Sequence, residues 1–212
     1  MTRLRSVGRV SATVLILIAA LAAALGLWFG ARMVGVPAPP HLASAVLYPT
    51  PRALPDFQLT RSDAQPLTLA DWKGHWTVAF FGYTHCPDVC PTTLVAFKQA
   101  WKLLDSATVS KLRFVFISVD PARDTPAHLA RYVGFFSNEF IAATGSDDEL
   151  TRLTRALGLV YAREKSADGN YAVDHSASAV IIDPEGREIG LFRPPFEAAK
   201  LAADLQTLAA SR

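Results

Sequence analysis

Apolar runs of two lengths alternate with polar turns along this chain, and each length predicts a different kind of element. The first run, residues 10–31, is rich in Leu, Ile, Val and Ala and contains no charged residue. A helix of that length rises about 33 Å, enough to cross a hydrocarbon core of about 30 Å. We therefore predict a transmembrane anchor over 10–31. Arginines precede the span, which places residues 1–9 in the cytoplasm.

Two alternatives for the first run stay open. A cleaved signal peptide fits the small residues at 22–24, although the run is longer than the apolar region of roughly 7–15 residues that such peptides have. A mitochondrial presequence fits the arginines and the absence of acids, although only about a dozen residues precede the span. No cysteine lies directly after the run, which excludes a lipoprotein anchor.

Prolines mark the next segment. Six of them occur in residues 33–55, a density typical of an extended and semi-rigid linker. We predict a tether over 32–53 and a folded domain over 54–212.

Short apolar runs after residue 54 predict a domain of alternating strands and helices. Strands are predicted at 57–60, 66–69, 77–83, 112–119, 140–143, 160–163, 177–182 and 188–192. Helices are predicted at 92–104, from Pro126 onward, at 147–157 and at 197–210, and a turn is predicted at 168–170. This order predicts an α/β fold, a thioredoxin-like sandwich with an N-terminal hairpin extension, preceded by one transmembrane helix.

The charge distribution narrows the classes of function. The formal net charge is +2, but four arginines in the first 32 residues leave 17 basic and 19 acidic residues in the remainder. The folded domain therefore has no basic excess, and we predict no nucleic-acid partner.

The candidate chemistry centres on Cys86 and Cys90, which are the two cysteines of the chain. They lie between the strand predicted at 77–83 and the helix predicted at 92–104. Pro91 disfavours helical geometry at Cys90, so we expect a loop that enters a helix. A domain outside the cytoplasm meets an oxidising compartment, where the pair forms a disulfide unless a metal or a reductase keeps it open. A structural disulfide, a redox couple and a metal site are the three interpretations.

The spacing of the two cysteines and a downstream histidine help to distinguish these interpretations. Thioredoxin-type enzymes have two residues between their cysteines and a cis-proline facing them. Here three residues intervene, and the segment before Ala177 contains His175 and no proline. Two thiolates and one imidazole form a soft three-ligand set that suits Cu(I) and can also hold Cu(II). Zinc normally takes a fourth ligand, for which Asp88 or His85 are the candidates.

Five further residues are candidates for tuning or orienting the site. His85 adjoins Cys86, and we expect its side chain to point away from the thiols. Asp174 can orient His175 by a hydrogen bond. Asp120 and Asp124 can line the site or bind a partner, and Asp88 lies between the two cysteines. Turn formation and helix capping are the structural interpretations of these carboxylates.

Three blocks of sequence resemble the Sco/SenC family. Residues 80–94 (FFGYTHCPDVCPTTL), residues 118–126 (SVDPARDTP), and Asp174-His175-Ser176 followed by 182–186 (IDPEG) match that family's motifs, and 54–57 (LPDF) is similar to its domain start. The resemblance covers roughly residues 54–208. It implies a membrane-tethered, thioredoxin-like domain whose copper ligands are Cys86, Cys90 and His175.

The resemblance also implies a function. Members of the family assist assembly of the copper A centre of cytochrome c oxidase, so we expect a metallochaperone rather than an enzyme. The cofactor is copper, as Cu(I) or Cu(II), and the partner is the copper A subunit, with a second copper chaperone or a thiol reductase as further partners. A thiol–disulfide oxidoreductase that keeps the acceptor cysteines reduced, or a redox or copper sensor, is the alternative. The expected location is the bacterial inner membrane, with the domain in the periplasm.

Overall fold

The computed structural model describes residues 11–33, 42–165 and 171–211. Contacts divide the chain into two units that meet between residues 39 and 40. The first unit contains helix α1, Ala12–Met33. Residues 12–30 are exposed around the whole circumference of this helix, and the mean hydropathy of Ala12–Gly30 is 2.4. An apolar helix without a polar face fits the predicted membrane anchor. The N-terminal residues 1–9 lie outside the described part of the chain.

The second unit is an α/β domain. Its strands are β1 (Ala45–Ala53), β2 (Gln58–Arg61), β3 (Pro66–Thr68), β4 (Trp76–Gly82), β5 (Leu112–Ser118), β6 (Ile141–Thr144), β7 (Tyr161–Lys165), β8 (Tyr171–His175), β9 (Ala179–Ile182) and β10 (Arg187–Phe192). Its helices are α2 (Leu69–Trp72), α3 (Val89–Trp101), α4 (Ser106–Ser110), α5 (Pro126–Phe136), α6 (Asp147–Ala156) and α7 (Ala198–Ala210). Eight strands form one sheet in the order β1-β10-β9-β4-β5-β6-β2-β3, while β7 and β8 form a separate hairpin.

The centre of the large sheet explains where chemistry can occur. Strands β4, β5 and β6 are parallel, and β9 runs antiparallel beside β4. All seven residues of β4 are buried, as expected for a strand covered by helices on both faces. The carboxyl ends of β4 and β5 therefore meet at one edge, and the loops that follow them lie side by side. The predicted α/β sandwich is confirmed, and so is the N-terminal hairpin, because β2 and β3 pair with each other and extend the sheet through β6.

The predicted tether is too long at its C-terminal end. Residues 45–53 form the edge strand β1, which pairs antiparallel with β10 despite Pro49 and Pro51. Prolines are tolerated there because an edge strand leaves one row of N–H groups without a ladder partner. The strand approaches so closely that a Cβ on Gly190 would collide with the Val46 carbonyl. The folded domain therefore begins before residue 54.

Several element boundaries also differ from the predictions. Helix α3 begins at Val89 and includes Cys90, because Pro91 occupies the first turn, where no intrahelical donor is needed. Helices α2 and α4 and strand β8 were not predicted. The predicted edge strand at 160–163 is confirmed in type, as β7, although it joins β8 rather than the large sheet. The predicted turn at 168–170 lies outside the described residues.

A buried carboxylate attaches the start of the domain to its last helix. Asp204 of α7 is buried, and its two oxygens accept hydrogen bonds from the N–H groups of Ala43, Ser44 and Ala45 at 2.6–2.9 Å and from the Ser44 hydroxyl at 2.7 Å. Four donors around one carboxylate offset its loss of hydration. This contact positions the chain at the point where it enters β1.

We predict that Asp204→Ala destabilises the domain by about 3 kcal/mol, because it leaves four partly buried donors without their charged acceptor. The free energy of unfolding, measured by urea denaturation of the full chain in detergent, checks this value. The matched control is Gln206→Ala on the exposed face of the same helix, expected to change it by less than about 0.5 kcal/mol. Equal effects of the two variants would contradict the anchoring role.

Candidate metal centre

The cysteines lie at the junction where β4 ends and α3 begins. Cys86 is half-buried in the loop, whereas Cys90 is buried in the first turn of α3. The backbone N–H of Cys90 donates to the Cys86 sulfur over 3.4 Å. The first turn of a helix supplies N–H groups without intrahelical partners, and one of them is used here to stabilise a sulfur.

Cys90 packs directly over the last residue of β4. A Cβ built on Gly82 would lie 2.5 Å from the Cys90 sulfur and 3.1 Å from the ring of Phe116. Real side chains do not approach so closely, so the absence of a side chain at Gly82 makes the space that the sulfur fills. This requirement explains why a glycine ends a strand whose other residues are all buried and carry side chains.

His175 reaches the cysteines from the last position of β8. Its Nε2 lies 3.3 Å from the Cys90 sulfur, and its ring packs edge-on against Phe80 and Tyr83, with centroids 5.8 and 5.9 Å away. The other ring nitrogen, Nδ1, lies 3.2 Å from the carbonyl oxygen of Ser176. Because a carbonyl can only accept, Nδ1 carries the proton and Nε2 presents a lone pair towards the sulfur.

Three soft ligand atoms therefore converge. The sulfurs of Cys86 and Cys90 and one nitrogen of His175 all lie within 4.8 Å of one another, and in the described part of the chain they are the one such group of three that could hold a metal. The Cys90 thiol has a single proton, which can satisfy either the Cys86 sulfur or the imidazole but not both. A donor set with more lone pairs than protons fits a soft cation such as Cu(I).

The two thiols differ strongly in acidity. The hydrogen bond from the Cys90 thiol, supported by backbone N–H groups of Cys90 and Asp88, lowers the pKa of Cys86 to about 4. The same hydrogen bond and burial raise the pKa of Cys90 far above its ordinary value. At neutral pH the pair thus holds one proton on Cys90 and one negative charge on Cys86, which is the more accessible sulfur.

Asp124, in the loop after β5, holds the cysteine loop through Thr84. Its buried carboxylate accepts hydrogen bonds from the Thr84 N–H at 2.9 Å, the Thr84 hydroxyl at 2.5 Å and the Ser118 hydroxyl at 2.5 Å. Asp120, also buried, accepts from the Tyr171 hydroxyl at 2.6 Å and pairs with Arg123. The two aspartates thus support opposite sides of the site, and neither belongs to the group of three ligand atoms.

The remaining candidates lie at the periphery. His85 is exposed, and its Nδ1 lies 3.1 Å from the Thr84 hydroxyl. Asp88 and Asp174 are exposed and line a cleft of about 230 Å³ beside Cys86 and His175. The orienting role expected for Asp174 is wrong, because the Ser176 carbonyl occupies the position facing Nδ1.

Sequence reasoning missed Gly82, Arg123 and Tyr171. Gly82 and Arg123 lie inside the two blocks at 80–94 and 118–126 that carry the family resemblance. Their place in these blocks could have identified them as site residues. Tyr171 lies beside the predicted turn at 168–170 and had no signal, because its partner Asp120 is 51 residues away.

Comparison with known proteins identifies relatives over most of the chain. Residues 47–210 match the SCO1/SenC family. A putative copper-binding protein of Stutzerimonas stutzeri is 38% identical over 155 residues, which cover 73% of this chain and 76% of that protein. The human mitochondrial protein SCO1 homolog is 36% identical over 71% of this chain, which spans about half (51%) of the human protein.

A solved structure agrees with the fold. The copper-bound structure of ScoI from Bradyrhizobium japonicum superposes with a TM-score of 0.67 at 33% sequence identity, and the match covers 74% of this chain and 99% of that one.

We predict that Cys86 of the reduced, metal-free chain reacts with iodoacetamide faster than Cys90, by about tenfold or more at neutral pH, because it is accessible and ionised. Since its pKa is lowered to about 4, the Cys86 rate should stay nearly flat from about pH 8 down to about pH 5.5. Peptide mass spectrometry at each pH measures both rates. In Cys90→Ala, which removes the side-chain donor, the flat profile should be lost. A wild-type rate that falls tenfold per pH unit would contradict the lowered pKa of Cys86.

We also predict that Gly82→Ala destabilises the domain by about 1–3 kcal/mol, because the new methyl group displaces the Cys90 sulfur. Thermal unfolding measures this loss. The control is Gly134→Ala in α5, where the nearest atom outside the local helix backbone is 3.7 Å from the new Cβ. Alanine is a better helix former than glycine, so the control should be neutral or more stable. Similar effects at both glycines would show that the sulfur contact is unimportant.

Proposed function

The chain belongs to the SCO1/SenC family, and we propose on that premise that it binds copper and delivers it to the copper A centre during assembly of cytochrome c oxidase. Transfer of a bound ion is stoichiometric, so the protein acts as a metallochaperone rather than an enzyme. The acceptor is the oxidase subunit that carries the copper A centre.

One observation carries this proposal: Cys86 and Cys90 lie at the β4–α3 junction and His175 at the end of β8, yet their ligand atoms lie within 4.8 Å of one another. Thiolate and imidazole ligands favour copper over the hard cations that oxygen ligands take. Cys86 is already ionised at neutral pH because its pKa is lowered, which favours binding of a cation. We assign the three side chains as the copper ligands.

The exposure of one ligand supports transfer. Cys86 is half-buried and lies in the cleft of about 230 Å³, whereas Cys90 is buried behind it. An acceptor thiolate can therefore approach from the side of Cys86 and exchange ligands there without opening the core. Copper would be the Lewis acid that these ligands bind, and the protein would control from which side an acceptor can replace them.

The apolar helix α1 supports a single-pass location. We place it in a bacterial inner membrane with the second unit in the periplasm, in line with the arginines that precede the span. A donor tethered to the membrane of its acceptor has a raised effective concentration, which compensates for weak docking.

A thiol–disulfide oxidoreductase is the second candidate function. The favouring observation is the pairing of an accessible thiolate with a buried thiol, because that division suits an attacking and a resolving cysteine. Cys86 would attack one sulfur of an acceptor disulfide, and the first acceptor thiolate would leave. Cys90 would then attack Cys86 and lose its proton, which releases the second acceptor thiol and leaves a Cys86–Cys90 disulfide. Another reductase must supply two electrons for each further cycle.

We predict that the reduced full chain in detergent binds one equivalent of Cu(I) under anaerobic conditions. His175→Ala and Cys86→Ser should each weaken binding by about a hundredfold, because each removes one of three ligands. Competition with a Cu(I) chelator measures the affinities. The control is His128→Ala, a half-buried histidine outside the ligand group, which should retain wild-type affinity. Unchanged affinity in His175→Ala would overturn the ligand assignment.

Delivery and reduction can be separated with the copper A domain of the oxidase as acceptor. Cu(I)-loaded chain mixed anaerobically with the reduced, metal-free acceptor should pass its copper to the acceptor, which the metal content of the two separated proteins measures. Reduction of an oxidised acceptor by copper-free chain, without any copper transfer to the reduced acceptor, would favour the oxidoreductase.

A further inference from the structure

The strand that carries His175 is not part of the main sheet. Strands β7 and β8 pair only with each other in the described residues, with Tyr161 opposite His175 and Lys165 opposite Tyr171. An isolated two-stranded hairpin is marginally stable at best in water. The position of His175 therefore depends on contacts between this hairpin and the rest of the domain, and on its short connection to β9, which begins at Ala179.

A cluster around the buried Asp120 makes that contact at the start of β8. The Tyr171 hydroxyl donates to one oxygen of Asp120 at 2.6 Å, and Arg123 pairs with the other oxygen. Arg123 also donates to the Tyr171 carbonyl at 3.0 Å, and its guanidinium lies 3.7 Å from the centroid of the Tyr171 ring. Tyr171 is thus held through its hydroxyl, its ring and its backbone by two residues of the loop after β5. We call Asp120, Arg123 and Tyr171 the clasp.

A second contact supports the other strand of the hairpin. Arg163 of β7 donates to the Val119 carbonyl at 3.0 Å and pairs with Asp147 at 2.6 Å. Because Asp147 is exposed and the Arg163 side chain is only half-buried, this ion pair is weaker than the contacts to the fully buried Asp120. The hydroxyls of Thr151 and Tyr161, 3.1 Å apart, add a further contact to β7. The clasp is stronger than the Arg163–Asp147 attachment.

The loop after β5 also holds the cysteines. Asp124 accepts the hydrogen bonds from Thr84, while the Ser118 hydroxyl donates to Asp124 and lies 3.1 Å from the backbone nitrogen of Asp120. Residues 118–124 therefore form a rigid bridge that binds the cysteine loop at one end and the histidine hairpin at the other. The distance from His175 to Cys90 depends on both attachments.

We propose that Tyr171 and Arg123 are positioning residues: the clasp holds the histidine hairpin closed over the cysteine pair and can open without disturbing that pair. This inference rests on the proposed function, because it assigns the clasp the task of presenting the third copper ligand. Opening the clasp withdraws His175 while Asp124 keeps Cys86 and Cys90 in place. Release of copper to an acceptor then requires replacement of two sulfur ligands rather than three ligands.

The proposal predicts a selective effect of Tyr171→Phe, which removes the hydroxyl and retains the ring over Arg123. The loss of one hydrogen bond to a buried carboxylate should weaken Cu(I) binding by about tenfold. In the metal-free reduced chain, carbethoxylation of His175 by diethylpyrocarbonate should become about tenfold faster, since the hairpin opens more often. The pH profile of Cys86 alkylation should stay that of the wild type, because Asp124 is untouched.

The matched control is Tyr48→Phe, which removes a tyrosine hydroxyl that donates to Glu188 at 3.0 Å in the β1–β10 region. It should leave both copper affinity and His175 reactivity unchanged. Arg123→Lys retains the positive charge near Asp120, but lysine cannot donate to Asp120 and to the Tyr171 carbonyl with the geometry of the guanidinium. It should therefore behave like Tyr171→Phe. His85 and His128 provide internal references for the carbethoxylation rates, which mass spectrometry measures residue by residue.

Two outcomes would overturn the clasp. The first is a His175 carbethoxylation rate in Tyr171→Phe equal to that in Tyr48→Phe. The second is a pH profile of Cys86 alkylation that changes in Tyr171→Phe as much as the His175 rate does, because this would indicate general unfolding. Failure of the proposed function is distinguishable from both. If the wild-type chain binds no Cu(I), the function is wrong, and the His175 reactivity of the metal-free variants still decides whether the clasp positions the hairpin.

Discussion

The candidate metal centre depends on one short approach: Nε2 of His175 lies 3.3 Å from the sulfur of Cys90, although 85 residues separate them in the chain. Cys90 is held by the first turn of α3 and by the space over Gly82, and His175 is held by a hairpin outside the main sheet. Neither support alone defines a three-ligand site. The approach exists because Thr84 of the cysteine loop and Tyr171 of the histidine hairpin both bind residues 118–124, through the buried carboxylates of Asp124 and Asp120.

The separate supports of the cysteines and of His175 have a chemical consequence. The pair of cysteines retains one proton on Cys90 and one charge on Cys86, so the more accessible sulfur is ready to bind a soft cation at neutral pH. The imidazole directs Nε2 towards the sulfur because Nδ1 faces the Ser176 carbonyl. A carrier needs ligands that bind firmly and can be replaced one at a time. A half-buried thiolate, a buried thiol and an imidazole on a separate hairpin provide three ligands with three different accessibilities.

Most of the fold and the grouping of the three candidate ligands could be predicted from the sequence, because buried strands and a cysteine pair leave strong local signals. The β4 run, the helix after it and the hairpin β2–β3 follow from periodicity. Features set by tertiary contact could not be predicted. Strand β1 is proline-containing and is held by Asp204 of a helix far along the chain, so its sequence is typical of a tether. Cys90 is helical because Pro91 occupies the first turn. The orienting partner of His175 is a backbone carbonyl, which has no sequence signature.

X-ray absorption spectroscopy of the Cu(I)-loaded chain tests the central claim most directly, because it counts the atoms bound to the metal and identifies their type. The three-ligand site predicts two sulfur neighbours and one nitrogen neighbour, with the imidazole scattering absent in His175→Ala. A site of sulfur atoms alone in the wild-type chain, or a spectrum that does not change when His175 is removed, would contradict the claim that the hairpin supplies the third ligand.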